Sequence, residues 1–390
     1  MARFRCAAAL LGLVAFARPG LAAPFVPTDD NIVLETLTPP GDPALKQLRA
    51  LAATARAAPD ELAPAIAYAR RAVEFARHNG DPRYAGYAEA ALRPWLSRAE
   101  VPPGAAFMDA VLRQYRHDFT NALSILDALL TAAPNNAEAR LIRATVRQVV
   151  GDIAGAAADC DALSRRVDPA IAAPCRAAAL EASGHSEQAT KTLAIALALP
   201  APPDLRLWAL TLAAEQAARH GDPVKAEARY HEALALDAGD LALVASYADF
   251  LLDAGRNREA RTLLGSDTRI DAILLRLALA ARAEGDSDAE ALVQTQAERF
   301  AEARLRGDAS HRREEARFRL HLQDDAAGAL ALALQNWQIQ REPWDARLVL
   351  EAALAAHRPE AAAPVRDWLA AQGNDDIQLA RLSAALDGAS

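Results

Sequence analysis

The sequence predicts an all-α protein built as a right-handed α-solenoid of antiparallel helix pairs. Apolar residues recur three and four positions apart, as in the run Leu241, Val244, Ala248 and Leu251, and this spacing places them on one helix face. A glycine followed five residues later by an alanine recurs along the chain. The glycines at 151, 184, 221 and 255 are spaced by 33, 37 and 34 residues, the period of a repeated helix pair.

Residues 1–22 have the pattern of an export signal peptide. Arg3 and Arg5 precede an apolar run over residues 6–16, and small residues before position 22 favour cleavage after Ala22. That run is shorter than the roughly 20 residues that span a bilayer. No cysteine lies at the cleavage site to accept a lipid, so we expect an exported chain, periplasmic or secreted and soluble after cleavage. With Arg3, Arg5 and Arg18 removed, the formal charge falls from −8 to −11, which disfavours nucleic-acid binding.

The remaining chain divides into three predicted segments. Residues 23–60 contain six prolines and are expected to be a lead-in with one short helix near residues 45–56. Helical repeats are predicted for residues 61–370, clearest over 107–264 and degenerate after 285. There Glu290, not alanine, follows Gly285 by five positions, and Asp324 stands where a glycine is expected. Residues 371–390 are predicted to form a capping helix and tail.

Two segments carry a family resemblance. One runs from Val244 to Leu251 and leads to Gly255 and then Ala260. The other runs from Phe119 to Pro134, with Ala122, Leu126, Leu129 and Pro134 at the small, large, apolar and proline positions of a repeat motif. These segments resemble the tetratricopeptide repeat (TPR) family, and the resemblance covers roughly residues 62–356. It implies a TPR-like superhelix whose groove binds a protein or peptide partner.

The sequence contains no recognisable catalytic motif. It has no phosphate-binding loop, no His-Glu-x-x-His, no Gly-x-Ser-x-Gly and no Cys-x-x-Cys. We therefore predict a protein that is not an enzyme, with no cofactor and no metal. His117, His185 and His220 fall in predicted turns, where a polar surface role is the simplest interpretation. His311 and His321 lie ten residues apart and are a weak metal candidate.

Several charged residues are candidates for partner binding. Arg140, Arg143 and Arg147 form a stripe on a predicted first helix, which could hold an anion or carboxylate. The alternative is that Asp159 and Asp161 on the following helix pair with the stripe, and the cost of burying arginine favours this alternative.

Three further residues complete the predicted binding set. Asp249 and Asp253 lie on the helix that leads to Gly255. Trp208, near the start of a first helix, faces the groove if the family frame holds. A tryptophan in the core or at a helix end is the alternative interpretation.

Cys160 and Cys175 are the two cysteines downstream of the signal peptide. They flank a predicted turn at Pro169, so two antiparallel helices joined there would bring them close together. Export would expose them to an oxidising compartment, which favours a disulfide. Two separately buried thiols are the alternative.

The leading functional hypothesis is a non-catalytic periplasmic scaffold that binds a protein or peptide through the solenoid groove. One alternative is a structural component of an export or polysaccharide-secretion assembly. Another is the helical scaffold of a cell-wall-active enzyme that lacks a recognisable catalytic domain. The sequence leaves the partner and the oligomeric state open.

Overall fold

A computed structural model describes residue 29, residues 41–308 and residues 310–388 of the chain. The predicted signal peptide and part of the lead-in, residues 23–28 and 30–40, lie outside these residues. The chain divides into two compact units, residues 1–46 and 47–390, and the helix pairs belong to the second. Within the described residues the regular structure is helical throughout, with no β-strand, so the predicted fold class is confirmed.

The described residues form twenty α-helices and one 3-10 turn at Pro359–Ala362. The helices are α1 (Pro43–Ala57), α2 (Leu62–Asn79), α3 (Arg83–Leu96), α4 (Pro103–Tyr115), α5 (Phe119–Ala132), α6 (Ala137–Val150), α7 (Ile153–Ser164), α8 (Pro169–Ala182), α9 (Ser186–Ala198), α10 (Pro203–Arg219), α11 (Pro223–Leu236), α12 (Leu241–Asp253), α13 (Asn257–Leu264), α14 (Asp271–Glu284), α15 (Ala289–Leu305), α16 (Arg312–Leu322), α17 (Ala326–Trp337), α18 (Pro343–Ala355), α19 (Ala363–Gln372) and α20 (Ile377–Gly388).

From α2 onward the helices pack as consecutive pairs. Each even-numbered helix from α2 to α18 is the first of a pair and contacts the odd-numbered helix that follows it, and α20 continues the series of first helices. The first helices also contact one another in sequence, from α2 with α4 to α18 with α20, and we call these ten helices the first-helix layer. This arrangement is a solenoid, because each pair buries its apolar face mainly against its neighbours.

The glycine and alanine landmarks have the predicted roles. The glycines between first and second helices have positive φ, for example +85° at Gly151 and +69° at Gly255, a conformation that glycine adopts without a Cβ clash. The alanines five residues later are at most 1% exposed. They are Ala85, Ala156, Ala189, Ala226 and Ala260, and Ala122 holds the same place after His117. Small side chains at these positions allow the two helices of a pair to pack closely.

The same turn persists where the glycine is missing. His117, Asp324 and His357 have φ values of +60°, +53° and +53°, although left-handed backbone is unfavourable for such residues. Ala329 and Ala362, five residues after Asp324 and His357, are fully buried. The repeat therefore continues into the segment that the sequence analysis considered degenerate, with a polar residue in the glycine position.

Aspartates begin several of the helices. Asp152, Asp222 and Asp325 each precede a second helix, and Asp240 precedes α12. Each accepts a hydrogen bond from the backbone N–H three residues later, at 2.8–3.0 Å. A side-chain carboxylate satisfies an N–H that the helix leaves unpaired, so these residues fix where each helix starts.

Later pairs of the solenoid lie against turns of earlier pairs. The backbone N–H of Arg341, between α17 and α18, donates to the carbonyl of Val149 at 2.7 Å. Gly184, between α8 and α9, lies so close to Gly373 that a Cβ on Gly184 would be 2.1 Å from the Gly373 carbonyl oxygen. Contacts between residues about 190 positions apart therefore hold the C-terminal helices against pairs in the middle of the array.

Candidate binding surfaces

The arginine stripe of α6 surrounds one buried carboxylate. Asp159 on α7 is 2% exposed and accepts hydrogen bonds from Arg140 at 3.0 Å, Arg143 at 2.6 Å and Arg147 at 2.9 Å. Arg143 also donates to Asp127 at 2.7 Å. The structure therefore pairs the stripe with acids of the same chain, as the alternative interpretation held.

Asp161 was expected to share this pairing, and that expectation is wrong. Its carboxylate is about half exposed and lies 3.6 Å from the guanidinium of Arg176 on α8. Asp159 and Asp161 are two residues apart, so they point about 200° apart around a helix. The Asp159 carboxylate therefore reaches α6, and the Asp161 carboxylate does not.

Asp249 lies buried within the first-helix layer. It accepts hydrogen bonds from Arg276 on α14 at 2.5 Å and from Arg317 on α16 at 2.7 Å. Burial alone would raise the pKa of this carboxyl, but the two guanidiniums outweigh burial and hold the pKa below its usual value. The residue that the sequence marked for partner binding thus joins three helices of the array.

Asp253 makes a second long-range pair. Both terminal nitrogens of the Arg347 guanidinium donate to its carboxylate, at 2.6 and 2.8 Å, across 94 residues of sequence. The guanidiniums of Arg347 and Arg317 lie 4.2 and 4.5 Å from the ring centroid of Trp344. The Asp253–Arg347 ion pair therefore joins α18 to α12, and the cation–π contact between Arg317 and Trp344 joins α16 to α18.

Trp208 packs against the core, which was the alternative to an orientation toward the groove. It is partly buried on α10 and packs against the cluster formed by Cys160, Leu163, Ala172 and Cys175. Its indole covers the contact between α7 and α8. Sequence position near a helix start could not distinguish this packing from a groove-facing orientation.

Cys160 and Cys175 form a disulfide, which confirms the predicted pairing. Their Cα atoms are 5.6 Å apart, and both residues are at most 2% exposed. The bond joins α7, the second helix of one pair, to α8, the first helix of the next. It is therefore a covalent link between adjacent repeats.

A cleft of about 670 Å³ opens between α3, α4 and α5. Apolar side chains form its floor, among them Leu96, Val101, Ile125 and Leu129. Charged side chains form its rim, namely Glu89, Arg93, Asp109 and Arg113. No single residue type in the sequence signals this cleft.

One group of side chains has the composition of a metal-ligand set. Glu181, His220 and Asp375 bring a ligand atom each to within 4.8 Å of the others. His220 is not simply a surface residue, because its Nε2 lies 2.9 Å from Glu181 Oε1.

Among the described helices, none is long and apolar enough to cross a membrane.

Residues 217–272 match the family model described as tetratricopeptide repeat. No curated protein matches the sequence. The APC/C hetero-tetramer Cut9-Hcn1 contains a similar chain, with 14% identity and a TM-score of 0.49, which covers 84% of this protein and 63% of that chain. Human IFIT1, solved as a dimer with m7Gppp-AAAA, has 16% identity and a TM-score of 0.43, with coverage of 89% and 87%.

The present chain thus spans less than two thirds of the Cut9-Hcn1 chain that it matches. The family match falls on α11–α13 and their flanks, where the glycine and alanine landmarks are regular. It supports a tetratricopeptide repeat family for these pairs. The fold defines a helical-repeat protein, a class whose extended surfaces serve protein–protein interaction.

Proposed function

We propose that this protein is a non-catalytic scaffold that binds a protein or peptide partner outside the cytoplasm, in the periplasm or after secretion. The observation that carries the proposal is the Cys160–Cys175 disulfide within a tetratricopeptide-type array. Structural disulfides persist in oxidising compartments and are rare in the cytosol. The positive start and short apolar run of residues 1–22 support the same compartment.

The cleft between α3, α4 and α5 is the surface that best fits a partner. Asp249, Asp253 and the α6 arginines already hold partners within the chain, so a ligand would have to displace those ion pairs. The cleft instead offers apolar side chains to a ligand. Arg93 at its rim makes no side-chain hydrogen bond to any described residue. This chemistry suits a peptide segment with apolar side chains and an acidic group.

In-cell photocrosslinking tests the site. A photoreactive residue at Ala128, which is exposed in the cleft, should give a discrete adduct with one protein of the cell envelope. The matched control is Ala235, an exposed alanine on α11, the second helix of a later pair. The substitution Arg93→Glu should abolish the Ala128 adduct, because it reverses the rim charge. Equal adducts at both positions, or none, would reject the cleft as the binding site.

The compartment is tested separately. Exported protein should begin at Ala23, and alkylation of denatured, unreduced protein should find no free thiol. A chain that stays in the cytoplasm with its original N-terminus would contradict the proposed localisation. A scaffold that binds the same partner there would still satisfy the interaction part of the proposal.

A further inference from the structure

Three side chains from distant parts of the chain meet beside the end of α10. Glu181 lies on α8, His220 directly follows α10, and Asp375 lies between α19 and α20. The Nε2 atom of His220 is 2.9 Å from Glu181 Oε1 and 3.9 Å from Asp375 Oδ1. One imidazole nitrogen and two carboxylate oxygens therefore face a common point.

The remaining oxygen of each carboxylate is held by the protein. Glu181 Oε2 accepts a hydrogen bond from Gln216 Nε2 at 2.6 Å, and Asp375 Oδ2 accepts one from the hydroxyl of Ser186. Gln216 is buried and is itself fixed by Thr190 and by the Ser186 carbonyl, each at 3.1 Å. Such outer hydrogen bonds orient metal-binding carboxylates, and here they direct Oε1 and Oδ1 toward His220.

Backbone packing fixes the position of the third side chain. Gly184 and Gly373 lie in close contact, and Ile377 lies 3.0 Å from where a Cβ on Gly221 would be. The α19–α20 connection is thus held against the turns that follow α8 and α10. Asp375 reaches the other two ligands without a movement of the backbone.

The surroundings carry an excess of negative charge. Arg219 lies 3.3 Å from Glu181 and 3.9 Å from Glu215, and Asp376 also acts on it electrostatically. Together with Asp375, which faces His220, these make four carboxylates around one guanidinium and one imidazole, so a bound cation would relieve their repulsion. If a metal bound Glu181 Oε1, Arg219 would keep Glu215 as its ion-pair partner.

We propose that Glu181, His220 and Asp375 form a binding site for a divalent transition metal, with Zn²⁺ as the best-fitting ion. Zn²⁺ accepts imidazole and carboxylate ligands at about 2.0–2.2 Å, which places tetrahedral ligand atoms about 3.3 Å apart. The separations of 2.9 and 3.9 Å from His220 Nε2 lie on either side of this value, and the two carboxylate oxygens, which lie within 4.8 Å of each other, would move closer together on binding. The imidazole disfavours Mg²⁺ and Ca²⁺, which prefer all-oxygen sites.

A metal here would join α8 and α10 to the C-terminal helices. Its fourth position would stay open to water or to a side chain of a partner. The site is independent of the proposed scaffold function. It goes beyond the sequence analysis, which expected no metal.

Titration calorimetry with ZnCl₂ on the tag-free mature protein at neutral pH tests the site. We expect one equivalent to bind, with affinity reduced at least about tenfold by His220→Gln and by Asp375→Asn. The Asp375→Asn side chain can still accept the Ser186 hydrogen bond, so the loop should keep its position. His357→Asn, a histidine in another left-handed turn, is the matched control and should bind as wild type does.

A second readout follows the C-terminal helices. Zn²⁺ should slow hydrogen exchange in α20 of the wild type and of His357→Asn, and leave α20 of Asp375→Asn unchanged. Circular dichroism checks that each variant is folded. If the His220→Gln protein does not fold, the Zn²⁺ affinity of the Asp375→Asn protein alone tests the site. Absence of binding at a large excess of Zn²⁺ overturns the proposal. So does equal binding by the wild type and a folded Asp375→Asn protein.

Discussion

Buried carboxylates organise the polar contacts of the array at the residue scale. Asp159 joins three arginines of α6, and Asp249 joins Arg276 and Arg317. A buried charge without partners is strongly unfavourable, so each of these acids depends on its guanidiniums. The sequence placed Asp249 among the predicted binding residues, because burial of a charged side chain leaves no local mark.

Asp249→Asn should lower the free energy of unfolding by about 3 kcal/mol, because it leaves two guanidiniums in the first-helix layer short of a charged acceptor. Asp253→Asn is the control. Its side chain is 34% exposed, and Arg347 keeps Glu351 as a partner, so its cost should stay below about 1 kcal/mol. Urea denaturation of the three proteins gives the comparison, and equal losses would contradict the assigned difference in burial.

Low pH should reduce the stability of wild type more than that of the Asp249→Asn protein. The folded-state pKa of Asp249 is below the ordinary value of 3.8, so its stabilising contribution is complete above that pH. The contribution is lost as the pH falls through the folded-state pKa. Wild type should therefore lose more stability than Asp249→Asn when the pH is taken below 3.8, as measured by the urea midpoint. Parallel losses would show that Asp249 is not the carboxylate concerned.

Gln296 is a buried residue that weakens the core. It lies on the apolar stripe of α15 between Val293 and Phe300, and neither its amide nitrogen nor its amide oxygen has a hydrogen-bond partner among the described residues. Gln296→Leu should raise the free energy of unfolding by about 1 kcal/mol, because it removes an unsatisfied amide. Gln294→Leu, which replaces an exposed amide bonded to Glu298, should give no gain. A loss in the Gln296→Leu protein would indicate an unseen partner such as a buried water.

Helix pairs depend on close contact between small side chains, and one pair junction is also linked covalently. The disulfide closes a loop of 15 residues between α7 and α8. On a chain-entropy estimate such a loop contributes about 3 kcal/mol. Because both sulfurs are buried, reduction requires local opening of this junction.

Replacement of both cysteines by alanine should therefore lower stability by about 3 kcal/mol and increase hydrogen exchange mainly in α7 and α8. Wild type with reductant under denaturing conditions should unfold as the double variant does. Partner binding through the distant cleft should persist. Equal stability with and without the bond would show that it has no mechanical role.

The contact between distant turns is a property of the whole array. Gly184 and Gly255 have the same backbone conformation, with φ of +70° and +69°, but different surroundings. A Cβ on Gly255 would meet nothing within 4 Å, whereas one on Gly184 would meet the Gly373 carbonyl. The two glycines form a matched pair that separates local strain from long-range packing.

Gly255→Ala should cost about 1 kcal/mol, the price of a left-handed non-glycine residue alone. Gly184→Ala should cost clearly more, because the α19–α20 connection must also move away. Hydrogen exchange should increase in α20 for Gly184→Ala and stay unchanged there for Gly255→Ala. Identical effects of the two substitutions would argue against the contact between α8 and the C-terminal helices.

The sequence by itself determined the repeat. The 34-residue period, the left-handed glycines, the buried alanines and the closeness of Cys160 to Cys175 are all local, since each depends on residues within one helix pair or its neighbour. Local spacing along a helix specifies which side chains share a face. It also indicated Asp159 as a partner of the α6 arginines, because those two helices are adjacent.

Only the tertiary structure decided which polar residues meet across the array. The pairing of Asp253 with Arg347 spans 94 residues, and the group of Glu181, His220 and Asp375 spans almost 200. Small rotations between successive helix pairs accumulate along a solenoid, and they set which distant turns touch. No local sequence signal encodes this accumulated rotation. Only the folded molecule therefore shows which surfaces are exposed and which are covered by other parts of the chain.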